Sequence, residues 1–264
     1  MRIAHFTGLV AAALAFALVH VGLAPAQGVS IDKATLMEPG AKTGEVSTEQ
    51  LRQILADGSA IVIDARPRAQ FDAGHIPGAH VLDAPSGDKI AAVERLAKGN
   101  KAAALVLYCN GPHCQASRRL GERLVAAGFT NVRRYQLGLP VWRALGGPTV
   151  IELNGVARIF NADRTAVFID ARPADDFAKG SLPGARNLTA ESLGGTLKQM
   201  MSGKLTNPPL PLDDFNRRIV LFGGKDAQVL GLAKAMSKRA WTNVMYFPGS
   251  YGDLSASLHE GGKR

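Results

Sequence analysis

Residues 105–119, LVLYCNGPHCQASRR, combine a strand, a tight loop and the start of a helix. Leu105–Tyr108 is an apolar run typical of a buried strand, and a helix-like segment follows the loop. The loop begins at Cys109 and carries Gly111 and Pro112, which are typical of turns. A strand that leads through a short loop into a helix predicts a parallel α/β sheet. Cys109 then lies at the carboxyl end of a strand, where such sheets bind ligands.

This position favours a reactive thiol at Cys109. Backbone N–H groups at the amino-terminus of the following helix stabilise an anion, and therefore a thiolate relative to a thiol. The only other cysteine is Cys114, at the far end of the same loop. Two roles stay open for the pair: a nucleophile with a neighbouring thiol, or a disulfide of the kind common in exported proteins.

Most of the chain consists of two copies of one sequence repeat. Residues 56–82, ADGSAIVIDARPRAQFDAGHIPGAHVL, recur without a gap as residues 162–188, ADRTAVFIDARPADDFAKGSLPGARNL. Farther along, LVLYC at Leu105 corresponds to IVLFG at Ile219. Each copy is long enough to contain its own strands, helices and core, so the repeat predicts two domains rather than a solenoid.

Strands alternate with helices in the first copy. Ser47 and Gln50 are spaced as a capping box at a helix start. The patterns predict helices over residues 48–56, 69–73, 90–97 and 115–127, and strands over residues 60–64, 105–108 and 131–135. Such alternation is typical of a parallel sheet covered by helices on both faces.

The amino-terminal segment resembles an export signal, and together with the repeat it predicts how the chain is divided. Arg2 and His5 precede an apolar run that ends in small residues, which is typical of a signal peptide cut between Ala26 and Gln27. An uncleaved anchor is the alternative, although the run is shorter than the ~20 residues that a membrane span needs. The plan is a signal peptide over 1–26, a tether over 27–44, domains over 45–148 and 162–258, and a linker over 149–161. We therefore expect a periplasmic or secreted protein without stable membrane insertion after cleavage.

Composition and charge narrow the classes of partner. Hydrophobic residues make up 46% of the chain and charged residues 20%, which is typical of a globular protein and excludes general disorder. The formal net charge of +9 suggests an anionic partner. Because the basic residues are dispersed, small anions or solubility explain this charge better than nucleic acid does, and we expect no nucleic-acid partner.

Several motifs, in this order, resemble the rhodanese (sulfurtransferase) family. They are Asp64-Ala65-Arg66, Gly74-His75-Ile76-Pro77-Gly78-Ala79, a cysteine that opens a short loop before a helix, Gly128-Phe129-Thr130-Asn131-Val132 and Trp142. The resemblance covers nearly all of the predicted mature chain and implies an α/β fold with two rhodanese-like domains, each a central parallel sheet flanked by helices. It also implies that Cys109 takes a sulfane sulfur from a small anionic donor such as thiosulfate. The persulfide then passes sulfur to cyanide or a thiol, without a metal or organic cofactor.

The second copy departs from this pattern at the position of the nucleophile. Gly223 corresponds to Cys109, so the second domain is expected to be catalytically silent and to wall the active cleft. In the best-known tandem members of the family the second copy is the active one, and here the order is reversed. The six-residue loop from Cys109 to Cys114 has the length that the family uses for sulfur chemistry. The related phosphatases have a seven-residue loop that ends in arginine, where this chain has Gln115.

The other candidate site residues have two possible roles each. The predicted substrate-binding or loop residues are Asn110, Gly111, Pro112, His113, Cys114, Arg118 and Arg119. The two arginines could steer an anionic donor or belong to a solvated helix face, and His113 could tune the thiol or fill a turn position. Asp64 and Arg66 recur as Asp170 and Arg172 in the silent copy, which favours a structural ion pair over a catalytic one.

Two other functions remain open at this point. In the first, Cys109 and Cys114 cycle between dithiol and disulfide, as in a periplasmic thiol redox or sulfur-binding protein. In the second, the silent domain binds a protein partner and the chain acts as a scaffold.

Overall fold

The computed structural model describes residues 30–84 and 87–261. Each copy of the repeat forms a five-stranded parallel sheet with helices on both faces, which confirms the predicted fold class. The predicted signal peptide and its cleavage site lie outside the described residues. Within the described ranges, no helix is both long enough and apolar enough to cross a bilayer.

The first domain has its sheet in the order β1-β5-β4-β2-β3, with β4 at the centre. Ser47 Oγ accepts from the Gln50 amide at 3.2 Å, and Gln50 Oε1 accepts from the Ser47 amide at 2.8 Å, so the predicted capping box is present. The elements are β1 (Gly44–Glu45), α1 (Thr48–Asp57), β2 (Ile61–Asp64), α2 (Arg68–Asp72), β3 (His80–Val81), α3 (Lys89–Leu96), β4 (Leu105–Tyr108), α4 (Gln115–Ala126), β5 (Val132–Tyr135) and α5 (Gly138–Ala144).

The second domain repeats this arrangement, with its sheet in the order β6-β10-β9-β7-β8. The elements are β6 (Thr149–Val150), α6 (Leu153–Ala162), β7 (Val167–Asp170), α7 (Ala174–Ala178), β8 (Arg186–Asn187), α8 (Leu193–Met201), β9 (Ile219–Phe222), α9 (Asp226–Ser237), β10 (Val244–Tyr246) and α10 (Tyr251–Gly261). The predicted linker over 149–161 is therefore wrong, because β6 pairs with β10 and α6 belongs to the second domain. A two-residue strand directly after Gly-Gly-Pro has too short a pattern to be recognised.

The apolar run Leu105–Tyr108 forms the central strand β4. Its four residues have no solvent exposure, and alternate side chains point to opposite faces. Leu105 and Leu107 belong to the core cluster that contains Leu120 of α4, whereas Val106 and Tyr108 belong to the cluster on the other face. Burial of each large apolar side chain contributes roughly 1.5–3 kcal/mol, so β4 holds both cores of the domain together.

Residues 30–43, which were predicted to be part of a tether, contact the first domain. The Glu45 carboxylate accepts hydrogen bonds from three consecutive backbone amides that begin at Leu36, at 2.8 to 3.1 Å. Glu38 forms an ion pair with Arg134, whose side chain is 3% exposed, at 2.8 Å. Apart from a single 3-10 turn at Ile31–Lys33, individual side-chain contacts hold the segment in place, and such contacts leave no periodic pattern in the sequence.

Backbone contacts join the two domains. His75 and Val150 exchange two backbone hydrogen bonds of 2.9 Å in an antiparallel bridge. The Glu152 amide donates to the Asp72 carbonyl oxygen at 2.9 Å, and Gly155 of α6 packs against the same carbonyl. The end of α2 and the start of α6 therefore fit together without room for a side chain at Gly155.

The substitution Gly155→Ala is expected to lower the midpoint of thermal unfolding. Alanine favours a helix over glycine by about 1 kcal/mol, but its Cβ at this position would overlap the Asp72 carbonyl oxygen. Gly231→Ala in α9 is the matched control, because a Cβ there has nothing within 4 Å and should raise the midpoint. Circular dichroism of both variants measures the difference. Equal stabilisation by the two alanines would contradict this account of the domain junction.

Candidate active site

Cys109 follows β4 directly and opens the loop that leads into α4. Its side chain is buried, whereas Pro112 and His113 at the tip of the loop are exposed. The Cys114 amide donates to the Gly111 carbonyl oxygen at 3.0 Å, which closes the loop just before α4. Gly111 has a φ of 104°, a conformation that favours glycine, as the predicted turn requires.

Gly138 packs against the backbone of the cysteine loop, and the sequence patterns did not identify it. This residue has a φ of 68°, and a Cβ there would overlap the Gly111 nitrogen and the Cys109 carbonyl oxygen. The next amide, of Leu139, donates to that same Cys109 oxygen at 3.0 Å. The glycine after β5 was a weak signal by itself, because nothing in the sequence places it against a loop almost thirty residues earlier.

The loop presents backbone donors that the protein does not use. In the part of the chain that the structure describes, the amides of Asn110, Gly111 and His113 donate to no protein acceptor. Cys114 gives α4 no side-chain cap, and the first amides of a helix have no acceptor within the helix. Such an array of N–H groups can stabilise an anion, as the predicted thiolate or persulfide requires.

Cys109 and Cys114 form a disulfide, with their Cα atoms 6.1 Å apart. The structure therefore contains the disulfide, which is one of the two possibilities that the sequence left open. A bond across so short a loop restricts little of the unfolded chain on the entropy model, so its contribution to stability is modest. A nucleophilic Cys109 requires this bond to be reduced, which consumes two electrons and two protons.

Asp64 and Arg66 form a buried ion pair that supports the loop. Arg66 Nε donates to Asp64 Oδ1 at 2.9 Å and Nη2 donates to Oδ2 at 2.5 Å, with the side chains 5% and 0% exposed. Arg66 also donates from Nη2 to the Gly74 carbonyl oxygen at 2.7 Å and from Nη1 to Asn110 Oδ1 at 3.2 Å. The pair therefore connects the end of β2 to the residue that follows Cys109.

The second domain contains the same ion pair without the thiol. Arg172 donates to Asp170 Oδ2 and to the Gly180 carbonyl oxygen, each at 2.6 Å, and Ser181 Oγ donates to Asp170 Oδ2 at 2.6 Å. Gly223 has a φ of 89° at the position of Cys109, and a Cβ there would lie 2.9 Å from Asp170 Oδ1. The fold of this domain is thus adapted to glycine where the first domain has its cysteine.

Arg118 and Arg119 lie in different surroundings on α4. Arg118 Nη1 donates to Glu38 at 2.7 Å, and its Nε donates to Glu122 at 3.1 Å, so two carboxylates neutralise this guanidinium. Arg119 is exposed on α4. Of the two readings left open by the sequence, the geometry of Arg118 favours an ion-pair network on the surface of the first domain.

His75 lies at the domain junction, close to the ion pair. Its ring stacks on Phe71 with the ring centres 3.6 Å apart, and Nε2 lies 3.7 Å from Glu152 Oε1. Burial lowers the pKa of His75 to about 4, so the ring is neutral at pH 7. Ser181 occupies the corresponding position in the second domain, so the repeated fold does not require a histidine ring there.

Two cavities adjoin the domain interface. The larger, about 790 Å³, is lined by Arg52 and Trp142 of the first domain and Lys234 of the second. No residue of the loop from Cys109 to Cys114 lines it. The smaller, about 210 Å³, is lined by Asn110 of the loop and by three arginines, at positions 66, 143 and 218. Sequence reasoning missed Arg143 and Arg218, since no motif connects them to the loop.

The fold and the loop define a class of protein: a tandem α/β protein with one cysteine-bearing loop at the carboxyl end of a central strand. The family model for the rhodanese-like domain matches residues 47–145 and 154–257, well over half of the chain. The chain belongs to this family, as its motifs indicate.

Individual proteins resemble parts of this chain at low to moderate identity. The thiosulfate sulfurtransferase GlpE of Pseudomonas entomophila is 34% identical over 99 residues, which cover 38% of this chain and 84% of that protein. An HTH-type transcriptional regulator of Mycobacterium tuberculosis is 28% identical over 50% of this chain, which spans only 56% of the regulator. The crystal structure of a thiosulfate sulfurtransferase from Pseudomonas aeruginosa is 20% identical and matches 80% of this chain and 44% of that one, with a TM-score of 0.36.

The substitution Arg66→Met is expected to destabilise the protein by about 3–5 kcal/mol, because it leaves the fully buried Asp64 carboxylate without its partner. Arg172→Met is the matched control in the second domain and should cost less, since Ser181 Oγ still donates to Asp170. Urea unfolding of each variant measures the two costs. A cost near zero for Arg66→Met would contradict the structural role of Arg66, and an equal or larger cost for Arg172→Met would contradict the contribution of Ser181.

The free energy of unfolding is expected to fall as the pH drops from about 6.5 towards 4. The unfolded chain binds a proton on His75 near its ordinary pKa, whereas the folded chain does so only at about 4, so acid favours the unfolded state. The contribution of His75 is the difference between the wild type and His75→Gln, since the carboxyls of Asp72 and Glu152 are common to both. Parallel pH profiles of the two proteins would show that His75 does not contribute.

Proposed function

We propose that this protein is a sulfurtransferase that carries a sulfane sulfur as a persulfide on Cys109. The main support for the proposal is the position of Cys109 in a domain of the rhodanese-like family. Cys109 is the first residue of a loop in which several backbone amides donate to no acceptor among the described residues. Membership of this family supports sulfur transfer as the class of chemistry. The relative named thiosulfate sulfurtransferase supports thiosulfate as the donor. We propose a thiophilic molecule, such as cyanide or a thiol, as the acceptor.

The proposed reaction has two nucleophilic steps. The Cys109 thiolate attacks the outer sulfur of thiosulfate, the S–S bond of the donor breaks, and sulfite leaves with the bonding electrons. The acceptor thiolate or cyanide then attacks the outer sulfur of the persulfide, and the Cys109 thiolate leaves. Each step forms one bond to the transferred sulfur and breaks another, so the cycle needs no external oxidant or reductant after the disulfide has been opened.

The loop amides are proposed to stabilise the anion in both steps. The same N–H groups, at Asn110, Gly111 and His113, can face the thiolate and then the terminal sulfur of the persulfide. The ion pair of Asp64 and Arg66 contributes by fixing Asn110 beside Cys109. The second domain has Gly223 in place of a thiol and is proposed to serve as a wall of the cleft.

We propose that the protein works outside the cytoplasm, after cleavage of a signal peptide between Ala26 and Gln27. An oxidising compartment favours the disulfide of Cys109 and Cys114. Sulfur transfer there requires a dithiol reductant, which supplies two electrons and two protons and is itself oxidised to a disulfide.

The disulfide itself supports a second function, that of a thiol redox or sulfur-binding protein. In that role Cys109 and Cys114 would cycle between dithiol and disulfide, and Cys114 would act as the resolving thiol. The two functions differ in their need for Cys114, because a persulfide on Cys109 forms without a second thiol.

The proposed function predicts that reduced protein gains the mass of one sulfur atom when it is incubated with thiosulfate and freed of excess donor. Cys114→Ser should gain the same mass, because Cys109 alone attacks the donor, whereas Cys109→Ala should gain none. Intact-protein mass spectrometry measures the gain, and release of thiocyanate on addition of cyanide measures the second step.

A reduced wild type and a reduced Cys114→Ser variant that both fail to gain sulfur would overturn the proposed transfer. Equilibration of the protein with glutathione redox buffers then tests the second function. A reduction potential in the range of known oxidoreductases, about −120 to −270 mV, would support it.

A further inference from the structure

Arg143 of α5 is a cation without a counterion in the described part of the chain. No carboxylate pairs with its guanidinium there, and its Nε is buried without a hydrogen-bond partner. Burial and the positive charges of Arg66 and Arg218 lower the pKa of Arg143 to about 10, so the group still carries its charge at pH 7. Arg143 is partly buried. A partly desolvated charge without a counterion is costly, and a bound anion would offset that cost.

Arg66 brings a second guanidinium to the same place. A Cβ at Gly74 would lie 2.8 Å from Arg143 Nη2, and Arg66 Nη2 donates to the Gly74 carbonyl oxygen. Both guanidinium groups thus contact Gly74, but Asp64 neutralises only that of Arg66. The local charge is therefore positive by the one unit that Arg143 contributes.

The second domain completes the surroundings of Arg143. Arg218, which precedes β9, lines the same cavity as Arg66 and Arg143. Its Nη1 pairs with Asp163, but its Nε is buried and has no partner among the described residues. Arg218 thus brings a further unpaired donor, from the second domain, to the cavity that Arg143 lines.

We propose that this cavity is an anion site that takes a small oxyanion between the two domains, with Arg143 as its main ligand and Arg218 as a ligand from the second domain. Guanidinium groups match the geometry of oxyanions, because two parallel N–H groups can contact two oxygens. A volume of about 210 Å³ lies below the ~300 Å³ at which pockets for drug-sized ligands begin, which favours a small ion.

The site also suggests what the second domain adds to sulfur transfer. Asn110 lines the cavity and follows Cys109 directly, so an anion held there lies beside the reactive loop. This part of the inference rests on the proposed function and identifies the ligand as a sulfur oxyanion such as thiosulfate. The binding itself does not depend on sulfur chemistry and can be measured without either cysteine.

The test is isothermal titration of the variant Cys109→Ser, Cys114→Ser with thiosulfate and, separately, with sulfate, at constant ionic strength. We expect saturable binding of one anion. Adding Arg143→Gln should weaken the binding at least about tenfold, which corresponds to 1.4 kcal/mol. Arg123→Gln, an exposed arginine of α4 that does not line the cavity, is the matched control and should bind as the parent does.

The contribution of the second domain is tested with Arg218→Gln, combined with Asp163→Asn so that no carboxylate is left unpaired. This double change should also weaken the binding. If Arg143→Gln fails to fold, Arg143→Lys takes its place, since it keeps the charge but loses the two-pronged contact and should bind less tightly than the parent.

Thermal unfolding gives a readout that a purely structural arginine would not give. Without anion, Arg143→Gln should be at least as stable as the parent, because it removes an uncompensated charge. With thiosulfate, only the parent should gain stability.

Absence of binding to the parent, or equal binding by Arg143→Gln, would overturn the anion site. Binding without persulfide formation in the intact, reduced protein would overturn the proposed function and leave the site standing.

Discussion

The buried ion pair between Asp64 and Arg66 is the constraint on which the site depends. The carboxylate has no solvent exposure, so it requires a partner that stays in place, and Arg66 satisfies it through two nitrogens. Arg66 Nη2 also donates to the Gly74 carbonyl oxygen, and Nη1 donates to Asn110 Oδ1, which connects the end of β2 to the cysteine loop. Because these contacts use four of the five N–H groups of the guanidinium, Arg66 positions the loop and has one N–H, on Nη1, left for a ligand.

The second domain, which has Gly223 in place of Cys109, shows which features belong to the fold itself. Asp170 and Arg172 repeat the ion pair in a domain without a thiol, so the pair belongs to the scaffold. The loops differ instead: Cys109 follows β4, whereas Gly223 follows β9 with a backbone conformation that a side chain would strain. Chemistry on this scaffold therefore depends on a few loop residues, whereas the sheet and its ion pair are common to both copies.

The sequence predicts those parts of the structure that depend on local patterns. The strand at Leu105–Tyr108 and the capping box at Ser47 follow from neighbouring residues, and the duplicated segment predicts two similar domains. The strand β6 escaped prediction because two residues carry no periodic signal. Gly138 beneath the loop and Arg143 at the interface escaped because their importance arises from contacts between segments far apart in the chain. Motifs thus locate the reactive cysteine, but only the fold identifies the charges around it.

The arrangement of charges also separates the oxidation state of the loop from the binding of an anion. The disulfide joins Cys109 to Cys114 within the loop, whereas the proposed anion ligands lie on α5 and before β9. Neither cysteine lines the cavity, so closing or opening the disulfide need not remove the positive charge of Arg143. A donor could therefore be held beside the loop in either state, and reduction of the disulfide would decide whether a thiolate is there to attack it. In the proposed arrangement the first domain would supply the nucleophile, and the second, although it lacks a thiol, would help to retain the anion.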